Sequence, residues 1–231
     1  MVLAILQARM SSSRLPGKVM APILGTPMIG RQVERLRRSR EIGKLVVATS
    51  ERPDDDRLAA YCASLDLPVF RGALDDVLGR FHGALQAFGP AGTVVRLTAD
   101  CPLADWEVVD LAVRTHRQGG FDYTSNSMER TYPHGLDVEV AQVHALEAAW
   151  REAADPYERE HVTPFLYRRP ERFGLGSVEA ADPRPQLRWT VDLPADLDFV
   201  THVYETLYPA NPAFTSADIA ALPRNSAPIP A

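Results

Sequence analysis

Three cations, Arg9, Arg14 and Lys18, stand close together just after the first apolar stretch of the chain. The loop that carries them also contains three serines, a proline and a glycine, which let backbone N–H groups converge on an anion. Two guanidinium groups and one ammonium group can neutralise several phosphate oxygens at once. This composition favours a phosphate-binding loop over a solvated basic loop. The glycine spacings of a Walker loop and of a dinucleotide fold are both missing.

Two aspartates occupy matching positions further along the chain. Asp100 follows the apolar stretch 93–97, Asp192 follows the stretch 187–191, and a proline stands two residues after each of them. If both stretches are strands of a parallel sheet near the first strand, both carboxylates face the cationic loop. Mg²⁺ takes one or two protein carboxylates and completes its shell with phosphate oxygens and water. We therefore predict a Mg²⁺ site, although each aspartate alone is more typical of a loop or cap.

A second polar region lies in the third quarter of the chain. Residues 135–140 alternate apolar and acidic side chains, so a strand there would carry Asp137 and Glu139 on one polar face. The stretch 158–164 is densely charged and contains Arg159, Glu160 and His161.

Together these two segments could hold a small, hydroxylated, acidic substrate, with Arg159 or His161 on its carboxylate. A salt-bridge cluster between subunits is an equal alternative. His134, beside Gly135, could act as a base, but a turn position is the preferred interpretation.

The elements that must position these residues alternate between strand and helix up to about residue 115. Buried strands are predicted at 2–6, 45–48, 67–70 and 93–97, with helices at 27–38, 54–65, 75–88 and 105–115. This order predicts an α/β fold with a mostly parallel, doubly wound sheet. The cationic loop then lies at the carboxyl end of the first strand, where open α/β sheets bind phosphate. The acidic triplet 54–56 is interpreted as a helix cap with first-turn charges rather than a metal site.

After residue 120 the regular alternation of strand and helix ends. Strands are predicted at 121–124, 135–140, 173–178 and 187–191. One helix is predicted after residue 140, a second ends near residue 207, and a short third helix spans 216–222. The last nine residues are expected to be disordered.

The composition of the 231 residues, with 45% hydrophobic and 24% charged side chains, is ordinary for a soluble globular protein. A net charge of −5 argues against a general nucleic-acid binder. No apolar run approaches the ~20 residues that span a bilayer, and no signal-peptide pattern precedes the first strand. Cys62 and Cys101 form no disulfide framework. We expect a cytoplasmic, reduced protein without a membrane or nucleic-acid partner.

The motifs resemble those of the cytidylyltransferase family, in particular its branch of spore-coat polysaccharide biosynthesis proteins. More distant relatives are the CMP-sialic acid and CMP-KDO synthetases. The resemblance covers about residues 2–207 and is carried by Gln7-Ala8-Arg9-Met10, Ser13-Arg14-Leu15-Pro16-Gly17-Lys18, Phe70-Arg71-Gly72, Thr98-Ala99-Asp100-Cys101-Pro102-Leu103, Tyr132-Pro133-His134-Gly135-Leu136-Asp137-Val138-Glu139, Glu158-Arg159-Glu160-His161-Val162-Thr163-Pro164 and Arg188-Trp189-Thr190-Val191-Asp192.

This resemblance implies a nucleotide-diphospho-sugar transferase fold in one domain, 1–208, followed by a tail at 209–231. An inserted α+β segment at about 121–185 would carry acceptor contacts and a homodimer interface. The loop with Ser13 would wrap the nucleotide. Arg9, Arg14 and Lys18 would hold the triphosphate, and Asp100 and Asp192 would bind Mg²⁺. The backbone near Ala8 and the region of Arg71 would contact cytosine.

The implied reaction transfers CMP from CTP to an acidic sugar of nonulosonic type and releases pyrophosphate, with Arg14, Lys18 and Asp100 as catalytic residues. Two other functions remain open. One is a glycosyltransferase on the same fold that uses a finished nucleotide sugar. The other is a non-catalytic nucleotide-binding partner in a glycan biosynthesis cluster. GTP or UTP in place of CTP is a lesser alternative.

Overall fold

The computed structural model describes residues 1–222 of the chain. Its strands are β1 (Val2–Gln7), β2 (Pro22–Ile23), β3 (Thr26–Pro27), β4 (Lys44–Ser50), β5 (Val69–Gly72), β6 (Thr93–Thr98), β7 (Tyr123–Ser125), β8 (Glu139–Gln142) and β9 (Leu175–Ser177). Its helices are α1 (Met28–Leu36), α2 (Asp56–Ser64), α3 (Val77–Phe88), α4 (Trp106–Gly119), α5 (Val143–Glu152), α6 (Pro156–His161), α7 (Pro164–Tyr167), α8 (Pro194–Leu207) and α9 (Ser216–Ala220).

Seven strands in the described part of the chain form one sheet, in the order β5-β4-β1-β6-β8-β7-β9. β8 runs antiparallel to its neighbours β6 and β7, and all the other pairs are parallel. β2 and β3 form a separate short ribbon. The predicted α/β class with a mostly parallel sheet is therefore confirmed.

The central strand β1 buries side chains on both faces of the sheet, as its continuous apolar sequence predicts. Leu3 and Ile5 belong to a core under α3 and α5, whereas Ala4 and Leu6 belong to a core under α1, α4 and α8. Both layers of helices therefore pack on one sheet, and the fold is doubly wound. The parallel strands β1, β4, β5 and β6 bring their carboxyl ends to one edge, and the loops that follow them meet there.

The prediction of a strand at 187–191 is wrong. In place of a ladder, Arg188 makes a single isolated bridge with His134. Val191 instead donates its N–H to the carbonyl of Asp100 over 2.8 Å. Because residues 187–189 bond to His134 and Val191 bonds to Asp100, the segment pairs with two different parts of the chain and does not form a strand of the sheet. The strand predicted at 135–140 is shorter than expected, since β8 begins only at Glu139.

The short helix predicted near the carboxyl end is confirmed as α9. The disorder predicted for the last nine residues lies outside the described residues, and the division into 1–208, 121–185 and 209–231 stays a prediction. Within residues 1–222, no helix is long and apolar enough to cross a membrane.

Candidate active site

A cleft of about 200 Å³ opens at the carboxyl ends of β1 and β6. It contains all the predicted nucleotide and metal residues except Arg71: Ala8, Arg9, Ser13, Arg14, Lys18, Asp100 and Asp192. The lining is completed by Gln7, Ser12, Val19, Thr98 and Ala99. Residues that lie up to 185 positions apart in the sequence thus face one another across a single space.

The cationic loop folds back on its own backbone. The carbonyl of Met10 accepts hydrogen bonds from the N–H groups of Ser12 and Gly17, each at 2.9 Å. Gly17 has a φ of 74°, in the left-handed region that favours glycine, and it immediately precedes the 3-10 turn Lys18–Met20. This turn directs Lys18 inward, while Arg14 stays on the outside of the loop.

Lys18 is buried, with 8% of its surface exposed, and its ammonium group lies between two carboxylates. The Nζ atom donates to the carbonyl of Val191 at 2.6 Å and to Oδ1 of Asp192 at 2.9 Å. It lies 3.9 Å from Oδ2 of Asp100. A buried ammonium group requires such partners, because its desolvation is otherwise very costly.

Asp192 is the most heavily paired carboxylate of the cleft. It accepts from Lys18, from Arg14 at 2.8 Å and from Arg188 at 3.0 Å. Partial burial raises the pKa of Asp192, but the hydrogen bond and charge of Lys18, together with Arg14 and Arg188, outweigh it. The net pKa lies below its usual value, so this carboxylate is ionised at neutral pH.

The position of Asp192 is set by the start of α8 and not by a preceding strand. Asp196 accepts hydrogen bonds from the backbone N–H groups of Asp192 and Leu193, both at 2.8 Å. The convergence of Asp100 and Asp192 on the cationic loop is therefore as predicted. The reasoning from a parallel strand is right for Asp100, which follows β6, and wrong for Asp192.

The two carboxylates fit a Mg²⁺ ion that takes its remaining ligands from phosphate and water. Both line the cleft, and the backbone bond from Val191 to Asp100 holds their two segments together. Among the residues that the structure describes, no group of three or more His, Cys, Asp or Glu side chains could hold a metal by itself. The Mg²⁺ site stays a prediction.

Arg71 lies at the same sheet edge, but its side chain is engaged elsewhere. Its Nε donates to the carbonyl of Ser50 at 2.9 Å, and its Nη2 lies 2.7 Å from Oδ1 of Asp56. The structure thus does not bring this guanidinium among the residues that line the cleft.

A second and larger cavity, of about 470 Å³, adjoins the cleft. It is lined by Arg96, Tyr123, Ser127, Met128, Glu139, Tyr157, His161, Thr163, Pro164 and Tyr167. Nη2 of Arg96 lies 3.5 Å from Oε1 of Gln7, which lines the cleft. The two cavities are therefore neighbours, separated by this pair of side chains.

A buried ion pair forms one wall of the second cavity. Arg96 contacts Oε2 of Glu139, and Oε1 accepts from the hydroxyls of Tyr123 at 2.7 Å and Thr163 at 2.5 Å. Burial raises the pKa of Glu139, but the charge of Arg96 and the three hydrogen bonds outweigh it, so the net pKa is lowered. Burial and the neighbouring Glu139 raise the pKa of the Tyr123 phenol well above its ordinary value.

Of the predicted substrate residues, only Glu139 and His161 line this cavity. Arg159 instead forms a bidentate pair with Asp76, at 2.9 and 2.6 Å. The remaining three lie elsewhere: Asp137 pairs with Arg130 at 2.6 Å, and His134 and Glu160 are exposed. His134 also exchanges backbone hydrogen bonds with Leu187 and Trp189, consistent with the preferred turn interpretation.

A strained turn at Val162 places the residues on either side of it, His161 and Thr163, in the lining of the second cavity. Val162 has a φ of 72° and a ψ of −56°, and Thr163 donates its N–H to the carbonyl of His161 at 2.9 Å. A β-branched residue in this γ-turn conformation is unfavourable and is found mainly at functional sites. The turn lets His161 and Thr163 both line the cavity. His161 also packs on Tyr157, with ring centroids 4.3 Å apart.

Sequence reasoning missed Arg96 and the three tyrosines of the second cavity. Arg96 lies within an apolar strand, and the tyrosines belong to three separate elements, so no local pattern connects them. It also missed Asp55, whose side chain makes no helix cap but is buried beneath the cationic loop.

The comparisons with known proteins agree with this architecture. A sequence model of the cytidylyltransferase family matches residues 3–208. The spore coat polysaccharide biosynthesis protein SpsF of Bacillus subtilis is 34% identical over 211 residues, which cover 88% of this chain and 86% of that protein. A 3-deoxy-manno-octulosonate cytidylyltransferase of Rhizobium johnstonii is 32% identical over 210 residues, covering 81% and 82%.

A solved cytidylyltransferase structure from Leptospira borgpetersenii superposes with a TM-score of 0.89 at 31% identity, covering 95% of this chain and 92% of that one. The fold is that of the nucleotide-diphospho-sugar transferases, and within it the match to the family model and to the curated relatives indicates a nucleotidyltransferase. This chain belongs to the cytidylyltransferase family.

Proposed function

We propose that this enzyme transfers CMP from CTP to an acidic sugar, with release of pyrophosphate, in the synthesis of a surface polysaccharide or a related glycan. The observation that carries the proposal is the pairing of a cationic cleft with a larger neighbouring cavity, across Gln7 and Arg96. One cavity suits a nucleoside triphosphate and the other suits an acceptor. The names of the relatives from Bacillus subtilis and Rhizobium johnstonii support the choice of substrates.

In the cleft, the cations would stabilise the charge that develops as pyrophosphate leaves. Arg9, Arg14 and Lys18 line the cleft together, and the acceptor hydroxyl would attack the α-phosphorus opposite the leaving group. As negative charge moves to the leaving oxygens, preformed cations lower the barrier without reorganising. Asp100 and Asp192 would hold Mg²⁺, which supplies charge neutralisation on the phosphates when bound.

The second cavity would bind the acceptor sugar. His161 is exposed and lines the cavity. It is the candidate partner for a carboxylate, because the charges of Arg96 and Arg159 are already matched by Glu139 and Asp76. The aromatic side chains Tyr123, Tyr157 and Tyr167 offer faces for the apolar side of a sugar ring and hydroxyls for its polar edge.

The proposal also includes a homodimer formed through residues 121–185 and a cytoplasmic location, where CTP is available. Light scattering at several protein concentrations tests the dimer, and cell fractionation tests the location.

The reaction is tested by measuring pyrophosphate release with Mg²⁺, each of the four ribonucleoside triphosphates and a panel of sugar acids. We expect release with CTP and one sugar acid, a CMP-sugar detected by mass spectrometry, and loss of release with EDTA. The Asp100→Asn variant should lose most of the release, whereas Asp182→Asn, whose exposed carboxylate pairs with Arg184, should retain it. Cleavage of a finished nucleotide sugar without pyrophosphate would instead indicate a glycosyltransferase. CTP binding with no turnover on the whole panel would favour a non-catalytic partner.

A further inference from the structure

The middle residue of the acidic triplet differs sharply from its two neighbours. Asp55 is 1% exposed, whereas the side chains of Asp54 and Asp56 are each 64% exposed. A buried carboxylate is costly unless strong hydrogen bonds or cations compensate it. Of the three consecutive aspartates, only Asp55 is therefore buried, and its contacts should show what compensates the burial of its carboxylate.

Asp55 joins the cationic loop to the end of β4. Its Oδ1 accepts from the backbone N–H of Met10 at 2.6 Å, across 45 positions of the chain. Its Oδ2 accepts from the N–H of Ser50 at 3.1 Å and from the hydroxyl of the same serine. Met10 is also the residue whose carbonyl closes the loop onto Gly17. The carboxylate thus fixes both the entry of the loop and the point to which it returns.

The charge of Asp55 also acts on a buried cation of another element. Arg80, on α3, is 1% exposed and donates to the carbonyls of Ala73 and Leu74. Burial lowers the pKa of Arg80, the charge of Arg9 lowers it further, and Asp55 opposes both together with Asp76 and Asp75. Asp55 therefore lies within electrostatic range of the buried guanidinium of Arg80, and it also bonds to Met10, the residue that follows Arg9.

We propose that Asp55 is a positioning residue for nucleotide binding: it holds the backbone of Met10 so that Arg9 and Arg14 are arranged before CTP arrives. The effect acts through the loop, because Asp55 does not line the cleft. A loop that is already ordered spares the ligand the cost of ordering it. The CTP readouts rest on the proposed function, whereas the exchange of the Met10 amide proton does not depend on it.

The test is Asp55→Asn, with Asp54→Asn as a control that removes the same charge one position away. An amide in place of the carboxylate directs an N–H toward Met10 or toward Ser50, and a buried donor then faces another donor. We expect the KM for CTP to rise about tenfold, the effect of one lost buried hydrogen bond. Saturating CTP should restore most of kcat, and the KM for the acceptor should not change. The control should match the wild type.

Amide hydrogen exchange followed by NMR gives a second readout without any substrate. In the wild-type protein without CTP, the Met10 amide should exchange at least about tenfold more slowly than in Asp55→Asn. A folded Asp55→Asn variant with an unchanged KM for CTP, or with unchanged exchange at Met10, would overturn the proposal.

If Asp55→Asn does not fold, Ser50→Ala replaces it, since this variant removes one donor from Oδ2 and leaves Met10 bonded to Oδ1. We then expect the Met10 amide to exchange about threefold faster than in the wild type. Rapid exchange of Met10 in the wild-type protein would refute the anchor directly. If the wild type binds no CTP but Met10 is protected and is released in the variants, the anchor stands and the proposed function fails.

Discussion

The cleft and the second cavity use charge in opposite ways. In the cleft, three cations face two carboxylates, and the side chain of Arg14 is 62% exposed. In the second cavity, Arg96 and Glu139 cancel each other, and two hydroxyls complete the bonding of Glu139. The cleft thus has more cationic than anionic side chains, whereas the second cavity offers mainly shape, aromatic faces and hydroxyl groups.

This difference suggests that the two cavities have different roles, with the cleft contributing to binding strength and the second cavity to selectivity. A polyanion gains from excess cations whatever base or sugar it carries, so we expect the cleft to supply affinity for phosphate. An internally neutral cavity has no such general attraction, so a ligand must match its form and its hydrogen bonds. We therefore expect substitutions in the cleft to affect turnover, and those of the buried pair in the second cavity to affect stability first.

The largest effect is expected for Lys18→Ala. Because Lys18 contacts Asp192 and lies near Asp100, its loss removes the innermost cation, the one that lies near both carboxylates. We expect kcat for pyrophosphate release to fall about a thousandfold, as for removal of one preorganised charge at a transition state. The chain contains only one other lysine, so Lys44→Ala is the matched control. A Lys18→Ala variant that remains folded and turns over within threefold of the wild type would refute the catalytic role of the cleft.

The next effect concerns stability. Glu139→Gln keeps the shape of the side chain but leaves Arg96 as a buried charge without its counter-ion. We expect the free energy of unfolding to fall by about 3 kcal/mol, as when one partner of a buried ion pair is removed. Urea denaturation at pH 7 measures it.

Glu152→Gln is the matched control, because its pair with Arg172 is exposed on the surface. Its unfolding midpoint should stay at the wild-type value. Equal losses in the two variants would contradict the contrast between a buried and an exposed pair. A large loss of turnover in Glu139→Gln without loss of stability would show that the second cavity also depends on its charges during catalysis.

The same contrast explains how much of the site the sequence could predict. The cationic residues belong to one loop of ten positions, 9–18, directly after a continuous apolar strand, so composition and order were sufficient to predict them. The second cavity is assembled from β6, β7, β8, α6 and α7, and its key pair joins Arg96 to Glu139 across the strand register of β6 and β8. Such a pairing depends on which strands are neighbours, and no local pattern contains that information.

Asp192 and Asp55 show two further limits. Asp192 reaches the cleft as predicted, but bonds to Asp196 at the start of α8 place it, and not a strand. Asp55 has the same residue type as its two neighbours, so only its burial and its bond to Met10 distinguish it. Residue type and order thus identify a candidate, whereas the packing decides which of several similar side chains is used.

The smallest effect tests whether a buried charge in this fold requires a partner. His116, on α4, is buried, and its Nδ1 lies 3.0 Å from the hydroxyl of Thr124. Burial lowers its pKa to about 4, against a weaker opposing effect of Asp122. The unfolded chain therefore binds a proton at higher pH than the folded protein, and stability falls as pH decreases from about 6.5 towards 4. We expect His116→Gln to remove roughly 2 kcal/mol of this acid destabilisation between pH 7 and 4.5, allowing for solvent screening. Urea denaturation of both proteins across this pH range measures the difference. If the free energies of unfolding of the two proteins depend on pH in the same way, His116 is protonated while it is buried. That result would contradict the expectation that a buried charge requires a partner.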